Sequence, residues 1–209
     1  EYRFYVDQRV IVPRSFIAEL LREQLTPWID DAHAVTAVLD LCTGSACLAI
    51  LAAHAFPAAR IDAVDISPEA LAVARRNVDD YDLAAQIRLV QGDHFVALKG
   101  KRYDLIIANP PYVAAAEVAA FAPEYAAEPV LAHLGGADGL DAYRVIATEA
   151  DRHLVVDGIV AVEIGFDQAA EVEKIFAKEG HFLAQKHLDL EKYDRILVFL
   201  RSKNQVLRP

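Results

Sequence analysis

From Val35 onward the chain alternates between short, nearly continuous apolar runs and stretches with helical spacing. The runs cover residues 35–41, 60–65, 87–91, 104–108 and 159–164, and the periodic stretches cover 46–55, 67–79, 139–153 and 168–178. A strand that is apolar along its whole length has no face to turn to water, so it belongs in a sheet covered on both sides. Strands separated by helices give that arrangement: a doubly wound α/β architecture with a mostly parallel sheet. Two further strands, 181–188 and 194–201, follow each other too closely for a crossover helix and are expected to pair antiparallel. Seven strands result. Such sheets bind ligands beyond the carboxyl ends of their strands, where the strand order reverses.

Several punctuation marks support the boundaries. Ser67-Pro68-Glu69 opens a helix with an N-cap and a proline in its first turn. The Asp157-Gly158 pair reads as a turn before the strand 159–164, and Gly180 ends the helix before it. Ahead of the alternation, Phe16, Ile17, Leu20, Leu21, Leu25 and Trp28 recur at helical spacing, which predicts a helix over 16–29 capped by Ser15.

The 209 residues suffice for one sizeable domain with a small appendage. At 55% hydrophobic and 25% charged the composition is globular. No apolar run approaches the ~18 residues that would span a bilayer, so no membrane partner is expected. The chain begins at Glu1 and has no methionine, which reads as a fragment whose natural start lies upstream. Cys42 and Cys47 have no partners at zinc-site spacing and read as small buried thiols of a cytoplasmic protein. His33, His54, His94, His133, His153, His181 and His187 are scattered without ligand spacing, so no metal is expected. A net charge of −10 argues against non-specific grip on DNA or RNA and suits a small molecule or a basic protein partner.

The strand ends carry the chemistry. Strand one runs into Asp40-Leu41-Cys42-Thr43-Gly44-Ser45-Ala46-Cys47, a tight turn feeding a helix N-terminus, where free N–H groups collect. Strand two ends in Asp65, an acid placed to accept the hydroxyls of a ribose. Gly92-Asp93-His94-Phe95 follows strand three and brings a second acceptor, Asp93, over the same crevice, with His94 beside it. Strand four ends in Asn109-Pro110-Pro111-Tyr112, whose prolines stop the ladder and stiffen the corner. Singly, an acid after a strand is more often a helix cap, and a glycine turn says little. Four such features at consecutive strand ends point to a nucleoside ligand. A nicotinamide dehydrogenase would require G-x-G-x-x-G, of which only Gly44 is present.

An amide or aniline-like nitrogen is a weak nucleophile because its lone pair is delocalised. The Asn109 side-chain oxygen and the Pro110 carbonyl can accept its two N–H groups and direct what remains of the lone pair. Catalysis there is mainly positioning for in-line attack.

The series Asp40…Gly44, Asp65, Asp93 and Asn109-Pro110-Pro111-Tyr112 resembles the class I S-adenosylmethionine-dependent amino-methyltransferases over nearly the whole chain. The resemblance implies S-adenosyl-L-methionine as cofactor, with Asp40, Cys42, Thr43 and Gly44 at its methionine part. It implies Asp65 and Ile66 at the ribose, Asp93 and His94 at the adenine, and Asn109 beside the methyl group. It also implies that Asn109, Pro110, Pro111 and Tyr112 hold the acceptor nitrogen and the flat group bearing it. The leader Val6-Asp7…Arg9-Val10-Ile11-Val12-Pro13-Arg14-Ser15 is similar to that of the bacterial protein-glutamine methyltransferases, in the form taken by enzymes acting on large-subunit ribosomal protein three. Release-factor enzymes resemble LIPRPxTE at this place. Cys42 in the turn, Glu124-Tyr125…Glu128-Pro129, Asp138-Gly139-Leu140, Val162-Glu163-Ile164-Gly165…Gln168 and Asp194-Arg195 fit the same group.

That family implies a helical N-terminal domain, so residues 1–34 are expected to be the end of a linker and 35–209 the catalytic domain. The expected partner is a basic ribosomal protein, with release factors or an exocyclic base amine of a nucleic acid as alternatives. The run after Tyr112 has acids and no Lys or Arg, which counts against the nucleic acid. Ala46 stands where the family has glycine and raises the prospect of weakened cofactor binding, or of a cofactor-binding factor without activity. Ala126 and Ala127 depart from the polar residues usual in the substrate-facing loop. Arg14 is a candidate lid residue. Glu163 is a candidate brace of the acceptor pocket or an ordinary hydrogen-bonded strand-end acid.

Overall fold

The computed structural model describes residues 2–118, 120 and 128–201. Its centre is a seven-stranded sheet built from β1 (Ala37–Leu41), β2 (Arg60–Asp65), β3 (Ile87–Gln91), β4 (Tyr103–Ala108), β5 (Leu154–Glu163), β6 (Phe182–Leu188) and β7 (Asp194–Leu200). The spatial order is β3-β2-β1-β4-β5-β7-β6. Pairs from β3 across to β5 are parallel, while β7 is inserted antiparallel between β5 and β6.

Alternate side chains of each central strand enter opposite layers, as the period of two requires. Val38, Leu105, Ile107, Ile159, Ala161, Ile196 and Val198 face one layer, with α2 (Cys47–Ala55) and α3 (Pro68–Asp80). Leu39, Leu41, Ile106, Ala108, Val160, Val162, Leu197 and Phe199 face the other, with α5 (Asp141–His153) and α6 (Ala169–Lys178). There the rings of Phe176 and Phe199 stack with centroids 4.0 Å apart. α3 starts as expected, with the Ser67 hydroxyl accepting the Ala70 N–H at 3.1 Å.

Two expectations need correction. The helix over 16–29 is only α1 (Ile17–Arg22), because Gln24 and Leu25 turn left-handed at φ +52° and +53° and Thr26-Pro27 follows. Its apolar residues are still buried, but Leu25 reaches the core from a turn. Ser15 stands one residue ahead of the flanking position, Phe16, yet its hydroxyl still accepts the first helical N–H, from Ile17 at 3.3 Å, while donating to Glu163 at 2.5 Å. The Asp157-Gly158 turn lies inside β5, where the pairing with β4 slips between Tyr103 and Leu105. A bulge absorbs the extra residues that a turn would have used.

α1 packs on α2 and β5, and its Ile17, Leu20 and Leu21 join the core layer of the sheet. Phe4, Leu25, Trp28 and Ile29 pack into the same layer. Glu124, Tyr125, Ala126 and Ala127 lie outside the described residues; the connection that contains them begins with α4 (Ala115–Val118). No described helix is long and apolar enough to cross a membrane.

Candidate functional site

β1 pairs with β2 on one side and β4 on the other, so strand order reverses there. Leu41 is level with both Val64 and Ala108. The turn after β1, Asp65 and Asn109 therefore leave the sheet side by side. Above them lies a cavity of about 390 Å³. Its lining includes Cys42, Gly44, Asp65, Ile66, Asp93, His94, Asn109 and Pro111 from among the residues expected at a site.

The turn is held from behind. Asp40 is fully buried, and its Oδ2 accepts the Thr43 hydroxyl at 2.5 Å and the Ala49 N–H at 3.0 Å. Burial pushes its carboxyl up to about 7. Asp40 and Thr43 shape the turn without lining the cavity, a difference from their expected contact with a cofactor. Cys42 and Gly44 adopt φ +57° and +55°, and Gly44 donates its N–H to Asp65 Oδ2 at 2.8 Å. A Cβ added to Gly44 would meet nothing within 4 Å, so the bare backbone leaves room for a ligand against the turn. Burial raises the Cys42 thiol well above its usual range and the Cys47 thiol to about 12, so both stay protonated at neutral pH.

Ala46 is left-handed at φ +63° and completely buried, with its methyl in the core beside α2. It does not line the cavity. Ala46→Gly is therefore expected to change cofactor affinity less than about twofold. Relief of about 1–2 kcal/mol of left-handed strain is offset in part by loss of about 0.8 kcal/mol for one buried methyl, so stability should rise by about 1 kcal/mol or less. Titration calorimetry and a thermal melt check this; a tenfold gain in affinity would show that the methyl intrudes on the ligand.

Asp65 accepts N–H groups from Gly44 and, through Oδ1 at 2.9 Å, from Ser67. Each carboxylate oxygen keeps a further lone pair for a ligand. Burial raises its pKa despite those bonds. His94 is left-handed at φ +46°, its Nδ1 lies 2.5 Å from Asp93 Oδ1, and its buried Nε2 has no hydrogen-bond partner among the described residues. Left-handed Cys42 and His94 are strained non-glycine positions, and both border the cavity. Carboxylates at Asp65 and Asp93, an unpaired imidazole nitrogen and open space at Gly44 fit a ligand bearing hydroxyls and an amine. A nucleoside such as S-adenosylmethionine is of that kind.

At the corner after β4, Pro110 is buried while Asn109 is half-buried. Neither the Asn109 side-chain amide nor the Pro110 carbonyl has a hydrogen-bond partner among the described residues. Tyr112 packs against the core layer and is among the residues lining a second cavity of about 520 Å³. Burial and the neighbouring Glu163 charge raise its hydroxyl pKa. Pro110 lines neither cavity.

The leader forms part of the wall, which sequence patterns did not reveal. Asn77 on α3 pairs with Tyr5 as a strand would, accepting its N–H at 2.7 Å and donating to its carbonyl at 3.0 Å. Val10 is buried against Ala70 and Val73, and Arg9, Val10 and Ile11 border the cavity. Arg14 lies 3.7 Å from Glu128, which also accepts the Val12 N–H at 3.2 Å and approaches His133 at 3.0 Å. Glu163 Oε2 takes both the Ser15 hydroxyl and the Phe16 N–H, so it fastens the leader to the end of β5. Burial raises its pKa. Gly135, Gly136 and Ala142 complete the far wall; the glycine pair was the one available signal.

The methyltransferase small domain family matches residues 18–128. A "Ribosomal protein uL3 glutamine methyltransferase" from Burkholderia pseudomallei is 54% identical over 84% of this chain and 59% of its own length. A protein of the same name from Bradyrhizobium diazoefficiens is 55% identical over 78% of the chain and 53% of its length. The chain thus spans about half the length of the curated relatives it matches. Among solved structures, the hMettl16 catalytic domain in complex with a MAT2A 3'UTR hairpin superposes with a TM-score of 0.72 at 15% identity, covering 96% of this chain and 76% of that one. A methyltransferase from Pyrococcus furiosus gives 0.62 at 22%, covering 80% and 75%; at such identities the likeness speaks to the fold alone. With that fold, the matched segment running from α1 past the corner after β4, and a cavity bordered by Asp65 and Asp93 at the switch point, the chain belongs to the methyltransferase small domain family and takes S-adenosylmethionine as its cofactor.

Proposed function

We propose that this chain is the catalytic part of a methyltransferase that modifies the side-chain amide nitrogen of a glutamine in large-subunit ribosomal protein uL3. The observation that carries the reading is the unpaired Asn109 amide and Pro110 carbonyl beside a cavity with acids at Asp65 and Asp93. Bound S-adenosylmethionine supplies an electrophilic methyl group on a sulfonium. Asp65 accepts the ribose hydroxyls, Asp93 and His94 face the adenine, and the bare Gly44 backbone lets the ligand sit against the turn. Asn109 and Pro110 accept the two N–H groups of the acceptor amide and hold its nitrogen toward the methyl group. Arg9, Val10 and Ile11 cover the cavity from the leader side. Arg14 belongs to the strap that Glu128 fastens, and the leader joins this unit to a domain that presents the substrate. An acidic chain of net charge −10 is electrostatically matched to a basic ribosomal protein. The uL3-acting relatives, more than half identical over most of the chain, favour this acceptor over release factors.

The test is incubation of the complete polypeptide with isotopically labelled cofactor and purified uL3, a release factor and ribosomal RNA. Mass spectrometry should find the label on one uL3 glutamine. Label on the release factor or the RNA instead would overturn the acceptor assignment.

A further inference from the structure

Pro110 and Pro111 carry no N–H, so other segments must hold the corner after β4. Gln168, just ahead of α6, does so. Its Nε2 donates to the Tyr112 carbonyl at 2.8 Å and lies 3.4 Å from the Gly139 carbonyl, while its Oε1 accepts the Gly165 N–H at 2.9 Å. Among the described residues this is the one side-chain hydrogen bond to the backbone of residues 109–112. Glycines make the approach possible. A Cβ on Gly139 would stand 2.4 Å from the Tyr112 oxygen, one on Gly135 2.7 Å from the Pro111 oxygen, and one on Gly165 2.9 Å from Gln168 Oε1. The segments 135–139 and 165–168 therefore converge on the adjacent Pro111 and Tyr112 carbonyls, and the Gln168 amide is the polar pin among them.

We infer that Gln168 is a positioning residue of the acceptor corner, fixing the Tyr112 carbonyl and through it the placement of Asn109 and Pro110. The inference rests on the proposed role of those two residues. The side chain lines the second cavity, behind the corner, and does not border the cavity that holds Asp65 and Asn109. Its loss should spare cofactor binding and misplace the acceptor, and a misplacement near 1 Å costs about a hundredfold in rate.

Gln168→Ala and Gln168→Glu, made in the complete polypeptide, separate this role from simple support of α6. Glutamate keeps the acceptor for Gly165 and adds a favourable charge at the helix start. When ionised, however, it faces two carbonyl oxygens and cannot donate to Tyr112. Glu117, Asp138, Asp167 and Glu171 line the same cavity and favour its protonated form, while Arg144 there is already paired with Asp138 and Asp141. Lys174 is paired with Glu171.

Both variants should lose about a hundredfold in kcat on uL3 at neutral pH, with the cofactor dissociation constant changed less than about threefold. Relative to wild type, the glutamate variant should recover as pH falls and its carboxyl regains a proton to donate; the alanine variant should not. Hydrogen exchange at amides 112–114 should quicken in the alanine variant regardless of activity. Full activity of the glutamate variant at neutral pH, parallel loss of cofactor affinity, or unchanged exchange would each overturn the inference. Failure of the wild type to methylate uL3 would instead overturn the functional reading, leaving the exchange result to judge the pin.

Discussion

Asn109→Ala is expected to lower kcat by about a thousandfold, the upper range for removing one preorganised group aimed at the reacting atoms. The structure explains why the loss should be confined to chemistry. The Asn109 side chain makes no hydrogen bond within the described protein, so its removal orphans no buried partner. Its neighbours Pro110 and Ala108 are buried and carry the corner without it. Folding should be unaffected, and cofactor affinity should stay within a few-fold. An amide acceptor, in contrast, loses one of the two oxygens that orient it, and a nitrogen whose lone pair is delocalised has no reserve of reactivity. Single-turnover rates beside calorimetric binding would decide the point. Equal loss of rate and cofactor affinity would mark Asn109 as a cofactor or folding residue.

Asp65→Ala should weaken cofactor binding by about a hundredfold, which corresponds to two hydrogen bonds to a charged group at about 1.5 kcal/mol each. The direct loss is compounded, because Asp65 also pins the Gly44 and Ser67 N–H groups and so couples the β1 turn to the start of α3. Asp65→Asn keeps one acceptor oxygen and should fall between wild type and alanine. Burial raises the Asp65 pKa, so its carboxylate begins to protonate above the usual range. Cofactor binding should therefore weaken as pH falls through that raised value, and Asp65→Asn should remove this part of the pH dependence. Calorimetry over a pH series measures both effects; an unchanged dissociation constant in the alanine variant would refute the ribose role.

Much of the fold could be read before the structure. Continuous apolar strands need two covered faces, and the order of strands and helices then leaves few topologies. The strand-end residues were legible for the same reason: in an open α/β sheet, consecutive parallel strands deliver their last residues to one edge. Cys42, Gly44, Asp65, Asp93 and Asn109 accordingly meet at one cavity. Where the reading failed, a non-local contact overrode a local signal. Asp157-Gly158 has the composition of a turn but is carried inside β5, whose partner strand β4 is distant in sequence and adjacent in space.

Periodicity and strand-end chemistry by themselves determined the sheet, its two covering layers and the edge where a ligand binds, because each is set by residues close together along the chain. Only the tertiary structure decided that Asp40 and Thr43 stand behind the turn, that the Ala46 methyl enters the core, that the leader walls the cavity and that Gln168 pins the corner. Those outcomes depend on which surfaces meet across the strand reversal. A hydrogen bond between residues 112 and 168 leaves no period in the sequence; it exists because three glycines let their segments approach closely enough for one amide to reach.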